Sequence, residues 1–389
     1  MTIIWATLLI LGVLITIHEF GHFMAARSVG IRVERFSIGI PPRFLTITSI
    51  DDGWMIRFFF YKRSEGSLSW QPVFEKMISK PGRIGSETEY VIALLPLGGY
   101  VKMAGIIDEN MDTELSYEDD EFMSKPLWAK LWVLSAGVMM NTILAFIIFA
   151  TIGFTQGMPE VSDKPIVAEL QPEMPAMEAG ILAGDKIILI DGTQIETWKD
   201  LTTEIHSKPN TDISLTILRD AIEIDMQITT SFMPVPTNAG MDTLGAIGII
   251  PEILYRDMTF GEALNIGWLR TAGSFNMIMM SFKMLGSGEA SVSDFGGPIM
   301  IAQLAGQTAE AGWIPFLTFM ALISVNLAFL NILPIPGLDG GHIFIHLIEG
   351  ILRRPLSMKA RIIIQQIGMA FLLMLMITII FNDISRLFN

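Results

Sequence analysis

The sequence predicts a polytopic α-helical membrane protein with about four transmembrane helices, a membrane-associated β-sheet region and one extracytoplasmic α/β domain. Of its 389 residues, 51% are hydrophobic and only 17% are charged, which is too apolar for a soluble protein of this length. Four apolar stretches, each of about transmembrane length, explain this composition. Between the second and third stretches the composition becomes soluble, and short strand-like runs alternate with turns.

The chain is expected to divide into eight segments. They are a first transmembrane helix (1–26), a cytoplasmic β region against the membrane (27–127), a second transmembrane helix (128–155), a soluble domain (158–232), a linker with an amphipathic membrane-surface region (233–312), a third transmembrane helix with a broken end (313–341), a cytoplasmic segment (342–361) and a fourth transmembrane helix (362–381). The first apolar run leads into a polar motif, not into a small-residue cleavage site, so we expect it to be retained and not removed as a signal peptide.

The polar motif that continues the first apolar run is His18-Glu19-Phe20-Gly21-His22. On a helix, His18 and His22 project from one face and can bind a single Zn²⁺, with Glu19 beside them as general base for the attacking water. In a soluble helix such a motif is often a chance match whose glutamate is solvated. An apolar span offers no water for that purpose, so the motif predicts a metal site at membrane depth.

A catalytic zinc site uses three protein ligands and keeps one position open. Asp339 is the single carboxylate in the stretch Asn331 to His342, where two prolines and three glycines break the third span. We favour Asp339 as the third ligand because the adjacent glycines permit close approach. The rival is a second metal at His342 and His346, another pair with helical spacing but with no acid between them to act as base. Asn331 could donate to the oxyanion of a peptide carbonyl or could simply satisfy the broken helix.

Asn141 is a polar residue inside the second predicted span. A buried amide at this position either joins two helices by a hydrogen bond or forms part of a site. The sequence leaves both interpretations open.

Basic residues near the span ends give an orientation. One side of the membrane carries Arg27, Arg32, Arg35, Lys125, Lys130 and the basic residues between Arg353 and Arg361. The positive-inside rule makes that side cytoplasmic. The soluble domain is then extracytoplasmic, and the histidine motif and Asp339 fall at the same depth, near the cytoplasmic ends of their spans.

Composition excludes several function classes. The formal net charge of -14, with no basic stripe, argues against nucleic-acid binding. The chain has no cysteine, which excludes disulfides, thiolate metal ligands and cysteine nucleophiles.

The two motifs together resemble the site-2 protease family of intramembrane zinc metalloproteases. The resemblance to its bacterial regulator-of-sigma-E-protease (RseP) branch extends over nearly the whole chain, through Val33 to Gly39, Tyr90 to Met103, Gly297-Pro298-Ile299, Ala321 to Leu327 and Phe381 to Leu387. It implies zinc ligation by His18, His22 and Asp339, water activation by Glu19 and support of the substrate carbonyl by Asn331. It also implies a multi-pass protein of the bacterial inner membrane that takes part in regulated intramembrane proteolysis.

The soluble domain resembles a bacterial, permuted PDZ domain over Met174 to Gly192. The resemblance implies that it recognises an extended peptide or a C-terminus, or filters access to the site. The implied partners are the lipid bilayer and single-span membrane proteins already trimmed outside, such as an anti-sigma factor or a signal-peptide remnant. Three features depart from the branch: one PDZ-like domain where many relatives have two, a longer 41–87 region, and Val138 where a proline often precedes the asparagine.

Two other functions fit parts of the pattern. A metal-ion transporter or sensor could use the same ligands without hydrolysis, but internal repeats and further polar residues along the spans are not evident. A non-catalytic membrane scaffold would give no reason for a complete ligand set with an adjacent acid. We therefore expect a zinc endopeptidase that cuts a transmembrane segment near the cytoplasmic face.

Overall fold

A computed structural model describes residues 2–64, 67–106, 118–237, 240–291 and 296–388. The helices are α1 (Thr2–Ser28), α2 (Leu127–Gln156), α3 (Pro175–Glu178), α4 (Trp198–His206), α5 (Phe260–Ser287), α6 (Pro298–Ala311), α7 (Trp313–Ile332), α8 (Asp339–Leu352) and α9 (Met358–Phe388). The strands are β1 (Val33–Ile50), β2 (Gly53–Ser64), β3 (Ser67–Ser79), β4 (Glu89–Met103), β5 (Met158–Val161), β6 (Val167–Leu170), β7 (Lys186–Ile190), β8 (Thr193–Gln194), β9 (Asp212–Arg219), β10 (Ile222–Thr229), β11 (Ser231–Thr237), β12 (Gly240–Ala246), β13 (Ile249–Pro251) and β14 (Ile253–Arg256).

Among the described residues, four helices are long and apolar enough to cross a membrane. They are α1, α2, α7 and the Lys359–Arg386 part of α9, which are the four helices that the sequence predicts. Two compact units contain them and the rest of the chain: residues 1–153 with 260–389, and residues 154–259. Part of the predicted cytoplasmic β region, residues 107–117, lies outside the described residues.

Helices α1, α2 and α7 of the first unit pack through two apolar clusters along α1. The first cluster joins Ile10 and Leu14 to residues of α2, α6 and α7, including Phe149, Phe316 and Val325. The second lies towards the end of α1 and joins Phe23, Ala26, Ile31, Val33, Phe36, Met103, Val133 and Leu134. The histidine motif lies on α1 between these two clusters, so both sides of it are fixed by packing.

A four-stranded antiparallel sheet in the order β3-β2-β1-β4 also belongs to this unit. Its long strands β1 and β4 bend, so that residues 35–38 of β1 pair with residues 89–92 of β4 on one side and with residues 99–102 of the same strand on the other. The last part of β4 therefore forms an edge of the sheet. These strands lie within the β region that the sequence predicts at 27–127, and β2 and β4 contain its runs of β-forming residues, Trp54 to Tyr61 and Glu89 to Leu95.

The second unit has its own core and its own small sheet. Strands in the order β10-β9-β7-β8 pack with α4 over a core of isoleucine and leucine side chains, among them Ile187, Ile190, Leu201 and Ile217. Asp185, which is 1% exposed, accepts two hydrogen bonds from Arg219 at 2.7 Å. These hydrogen bonds from the guanidinium hold the pKa of Asp185 below its ordinary value, so the carboxylate stays charged in the folded unit.

Two segments differ from the sequence prediction. The expected linker after residue 233 contains four strands. Of these, β13 pairs with β6 and β14 with β5, so the last two strands of the second unit pair with its first two. The expected cytoplasmic segment 342–361 contains most of helix α8. Strand β11 was not predicted because it contains Pro234 and Pro236, and proline usually interrupts a strand. A proline is tolerated in a two-stranded ribbon when its nitrogen faces away from the partner strand.

Candidate metal centre

The two histidines continue a buried stripe along α1. Its members are spaced four residues apart and are all buried: Ala6, Ile10, Leu14, His18 and His22. Residues at this spacing share one helix face, and the apolar members fix that face against α2 and α7. The four-residue spacing that buries this face of α1 therefore points both imidazoles inward.

Asp339 reaches the same place through a sharp break in the chain. Helix α7 ends at Ile332, residues 333–338 turn back, and Asp339 is the first residue of α8. A Cβ atom on Gly340 would lie 2.3 Å from the carbonyl oxygens of Ile332 and Leu333, so only glycine lets the turn close this tightly. The tight turn brings the carboxylate to the histidines.

The three side chains form a compact triangle of ligand atoms. His18 Nε2 and His22 Nε2 lie 3.2 Å apart, and Asp339 Oδ2 lies 3.1 Å from the first and 3.3 Å from the second. Ligands bound at about 2.0–2.1 Å to a tetrahedral Zn²⁺ lie roughly 3.3 Å from one another. Two imidazoles and one carboxylate also match a known catalytic zinc ligand set with one open position. The residues present therefore fit a zinc ion.

Two features of α2 support the triangle. His22 Nδ1 lies 2.8 Å from the carbonyl oxygen of Val133, so it carries the hydrogen and leaves Nε2 free to bind a metal. One turn further on, a Cβ atom on Gly137 would lie 2.5 Å from His22 Nε2 and 2.7 Å from His18 Nε2. The absent side chain of Gly137 provides the space in which the ligand atoms converge.

A cavity of about 560 Å³ opens onto the ligands. His18, His22, Asp339 and Glu19 line it, together with residues of β4, α8 and the first turns of α9. Glu19 Oε2 accepts a hydrogen bond from the backbone N–H of Val101 at 3.1 Å. The carboxylate of the motif is thus held at the wall of the cavity, beside the predicted ligands and next to the sheet edge.

The rival histidine pair has a different environment. Among the described residues, the group that could hold a metal ion is His18, His22 and Asp339, and His342 and His346 form no such group. His346 instead contacts Glu349, with 3.1 Å between Nδ1 and Oε2, and Glu349 accepts hydrogen bonds from Arg361. Burial, together with the positive charge of Arg361, lowers the pKa of His346, so its imidazole is neutral.

Asn331 is the one predicted site residue that the structure does not bring to the cavity wall. It is half-buried in the last turn of α7, and it is absent from the described residues that line the cavity. His206, which the sequence places in the soluble domain, lies at the end of α4 in the second unit.

Sequence reasoning missed Gly137 and two backbone groups, the carbonyl of Val133 and the N–H of Val101. Backbone groups leave no trace in a sequence. Gly137 does leave one, because a glycine four residues before Asn141 in an apolar helix marks a face with space for another group. A glycine at this position predicts that another group lies close to the helix, but the sequence does not show which residue that is.

Replacing Gly137 with alanine should empty the centre without unfolding the protein. The added methyl group would overlap both imidazoles, whereas alanine is otherwise a better helix former than glycine. We expect metal content, measured by mass spectrometry of the purified protein, to fall at least about tenfold. Gly273→Ala is the matched control, since no atom lies within 4 Å of a Cβ placed there. Equal metal content in wild type and both variants would contradict this geometry.

Comparisons with known proteins identify related zinc metalloproteases. The family model for peptidase family M50 matches residues 6–67 and 73–375. The zinc metalloprotease RasP of Bacillus licheniformis is 28% identical over 429 aligned positions that cover 100% of both chains. A Clostridium perfringens protein named as a candidate zinc metalloprotease is 32% identical and covers 99% of this chain and 98% of its own.

A solved structure also aligns with part of the chain. It is the PDZ domain of an SdrC-like protein from Listeria monocytogenes, with 21% identity, coverage of 24% of this chain and 93% of that domain, and a TM-score of 0.19. The family match is far broader, since it begins in α1 and ends within α9. The chain therefore belongs to peptidase family M50, the site-2 proteases, and is a zinc metalloprotease.

Proposed function

We propose that this protein hydrolyses a peptide bond within the transmembrane segment of a single-span membrane protein, in regulated intramembrane proteolysis. The observation that carries the proposal is the ligand triangle of His18, His22 and Asp339, whose edges of 3.1–3.3 Å suit zinc. The two histidines lie on α1, and Asp339 begins α8 just after α7 ends; α1 and α7 are both apolar enough to cross a membrane. Ionisable side chains at membrane depth are rare and mark functional sites, which supports chemistry on a membrane-embedded chain.

Each residue of the centre has a role in this hydrolysis. His18, His22 and Asp339 would hold the Zn²⁺, which when bound polarises a peptide carbonyl and makes water a stronger acid. Glu19 accepts a proton from the attacking water and passes it to the leaving amine. The proposed support of the substrate carbonyl by Asn331 rests on the family resemblance alone.

The substrate helix must unwind before attack, because its carbonyls are bonded within the helix. We propose that the edge of β4, residues 99–103, holds the unwound segment by adding it as a strand. The backbone N–H of Ala104 donates to the backbone carbonyl oxygen of Arg32, in the chain segment that leads into the neighbouring strand β1. The backbone N–H of Val101 instead points away from the sheet and donates to the carboxylate of Glu19. By strand alternation, the backbone groups of 99, 101 and 103 face away from the sheet, and Val101 and Met103 line the cavity.

The second unit would act as a PDZ-like domain outside the cytoplasm. Its small sheet with α3 and α4 offers strands beside which a peptide or a C-terminus could be recognised. The orientation follows from basic residues at one end of the spans, with the active site towards the cytoplasmic face of a bacterial inner membrane. Anti-sigma factors and signal-peptide remnants are the proposed substrates.

Glu19→Gln tests the mechanism directly. The amide cannot accept the water proton, so cleavage of a detergent-solubilised single-span substrate should fall by about 10²–10⁴-fold while bound zinc remains equal to wild type. Cleavage products are followed by electrophoresis and zinc by mass spectrometry. Cleavage by Glu19→Gln at the wild-type rate would contradict the role of Glu19. Zinc in both proteins with cleavage by neither would favour a transporter or sensor instead.

Val101→Pro tests the strand-addition proposal. Proline lacks the N–H that faces the cavity but is tolerated on a sheet edge where that N–H makes no ladder bond. We expect cleavage of the single-span substrate to fall at least about tenfold, since one strand-pairing hydrogen bond to the substrate is lost. Zinc content should not change, and Val101→Ile, which keeps the N–H, should cleave like wild type. Normal cleavage by Val101→Pro would rule out this edge as the substrate site.

A further inference from the structure

Apart from the metal-binding atoms themselves, three buried polar atoms at the metal centre have no hydrogen-bond partner among the described residues. They are Nδ1 of His18 and both side-chain atoms, Oδ1 and Nδ2, of Asn141. His18 is 7% exposed and Asn141 is fully buried. Buried polar atoms are nearly always paired, so unpaired ones in a native fold indicate a functional group or an ordered water. Because Nδ1 of a metal-binding histidine carries a hydrogen and Oδ1 of asparagine accepts one, these two groups are complementary.

The packing of α1 and α2 places the two residues near each other. Gly137 of α2 lies against the rings of His18 and His22, and residues further along α2, such as Ala145, pack with Leu14 and residues before it on α1. The two helices therefore run antiparallel, and α2 passes from His18 towards the start of α1. Asn141, one helical turn beyond Gly137 and on the same face, lies at the level between His18 and Leu14.

The long side chain of a helical residue leans towards the helix N-terminus, so the ring of His18 is directed to that same level. A third unpaired group on α1, Thr16 Oγ1, lies two residues away, which is about 200° around the helix. Thr16 therefore does not share the face that His18 presents to α2. Asn141 is also fixed in place, because Ser324 of α7 donates to its backbone carbonyl at 2.8 Å.

We propose that Asn141 is a positioning residue of the metal centre, whose side-chain oxygen accepts the Nδ1 hydrogen of His18 directly or through one buried water. Asn141 would do for His18 what the Val133 carbonyl does for His22: it fixes the ring and leaves Nε2 free for the metal. The centre then has an oriented partner on α2 for each of its two histidines. This inference rests on the proposed zinc site and adds a residue that the ligand motifs do not name.

The test compares metal affinity in variants of the full-length protein in detergent. Asn141→Leu removes both polar atoms, Asn141→Asp keeps an oxygen acceptor, and Ser324→Ala removes the contact to the Asn141 backbone without changing its side chain. Zinc affinity is measured by competition with a chelator, and the ligand geometry by the visible absorption of the Co²⁺-substituted protein. Asn141→Ala replaces the leucine variant if the latter fails to fold, since it removes the same atoms without added bulk.

The proposal expects a 10- to 100-fold loss of zinc affinity and a shifted Co²⁺ spectrum in Asn141→Leu. Asn141→Asp and Ser324→Ala should stay within a few-fold of wild type. Wild-type affinity and spectrum in Asn141→Leu, with only a lower unfolding temperature, would overturn the proposal and leave Asn141 as a contact between helices. If the wild type bound no zinc, or if His18→Ala bound it equally well, the proposed metal centre itself would fail instead.

Discussion

The structure depends on holding one carboxylate and two imidazoles together where apolar helices exclude water. An isolated carboxylate in such surroundings is destabilised by several kcal/mol, and a cation bound by His18, His22 and Asp339, which approach one another at 3.1–3.3 Å, would offset this cost. Three features of the surrounding structure hold these side chains together. Helix α1 is fixed by apolar clusters on both sides, α2 supplies a glycine, and the break after α7 delivers the carboxylate.

The edge of β4 lies beside the metal centre and offers a place where an extended polypeptide could bind. A metal site in a closed bundle could bind a cation, but it could not receive a polypeptide. Here the carboxylate of Glu19 contacts the outward N–H of Val101, so the proposed base and the proposed strand-pairing edge share one hydrogen bond. A substrate strand that takes this N–H would leave Glu19 free to accept a proton. In this proposal, substrate binding and activation of the base would be coupled through the backbone N–H of Val101.

Much of this was predictable from the sequence, and the reasons for success and failure are physical. Helical spacing predicts that His18 and His22 share one face, and the glycines beside Asp339 predict that its carboxylate can approach closely; the structure brings these three side chains together. The four membrane helices follow from hydropathy. Strands β13 and β14 were missed because their pairing with β6 and β5 is long-range, and Gly137 was missed because its role is defined only by the residues that approach it. Asn331 is not among the described residues that line the cavity, although the stretch that contains it resembles the family's motif.

The measurement that tests the central claim most directly is X-ray absorption at the zinc edge of the purified protein, beside Asp339→Ala and His342→Ala. The account predicts a first shell of nitrogen and oxygen at about 2.0–2.1 Å with two imidazoles. It also predicts that this shell is lost or altered in Asp339→Ala and unchanged in His342→Ala. An unchanged zinc shell in Asp339→Ala together with its loss in His342→Ala would place the metal at the other histidine pair and contradict the account.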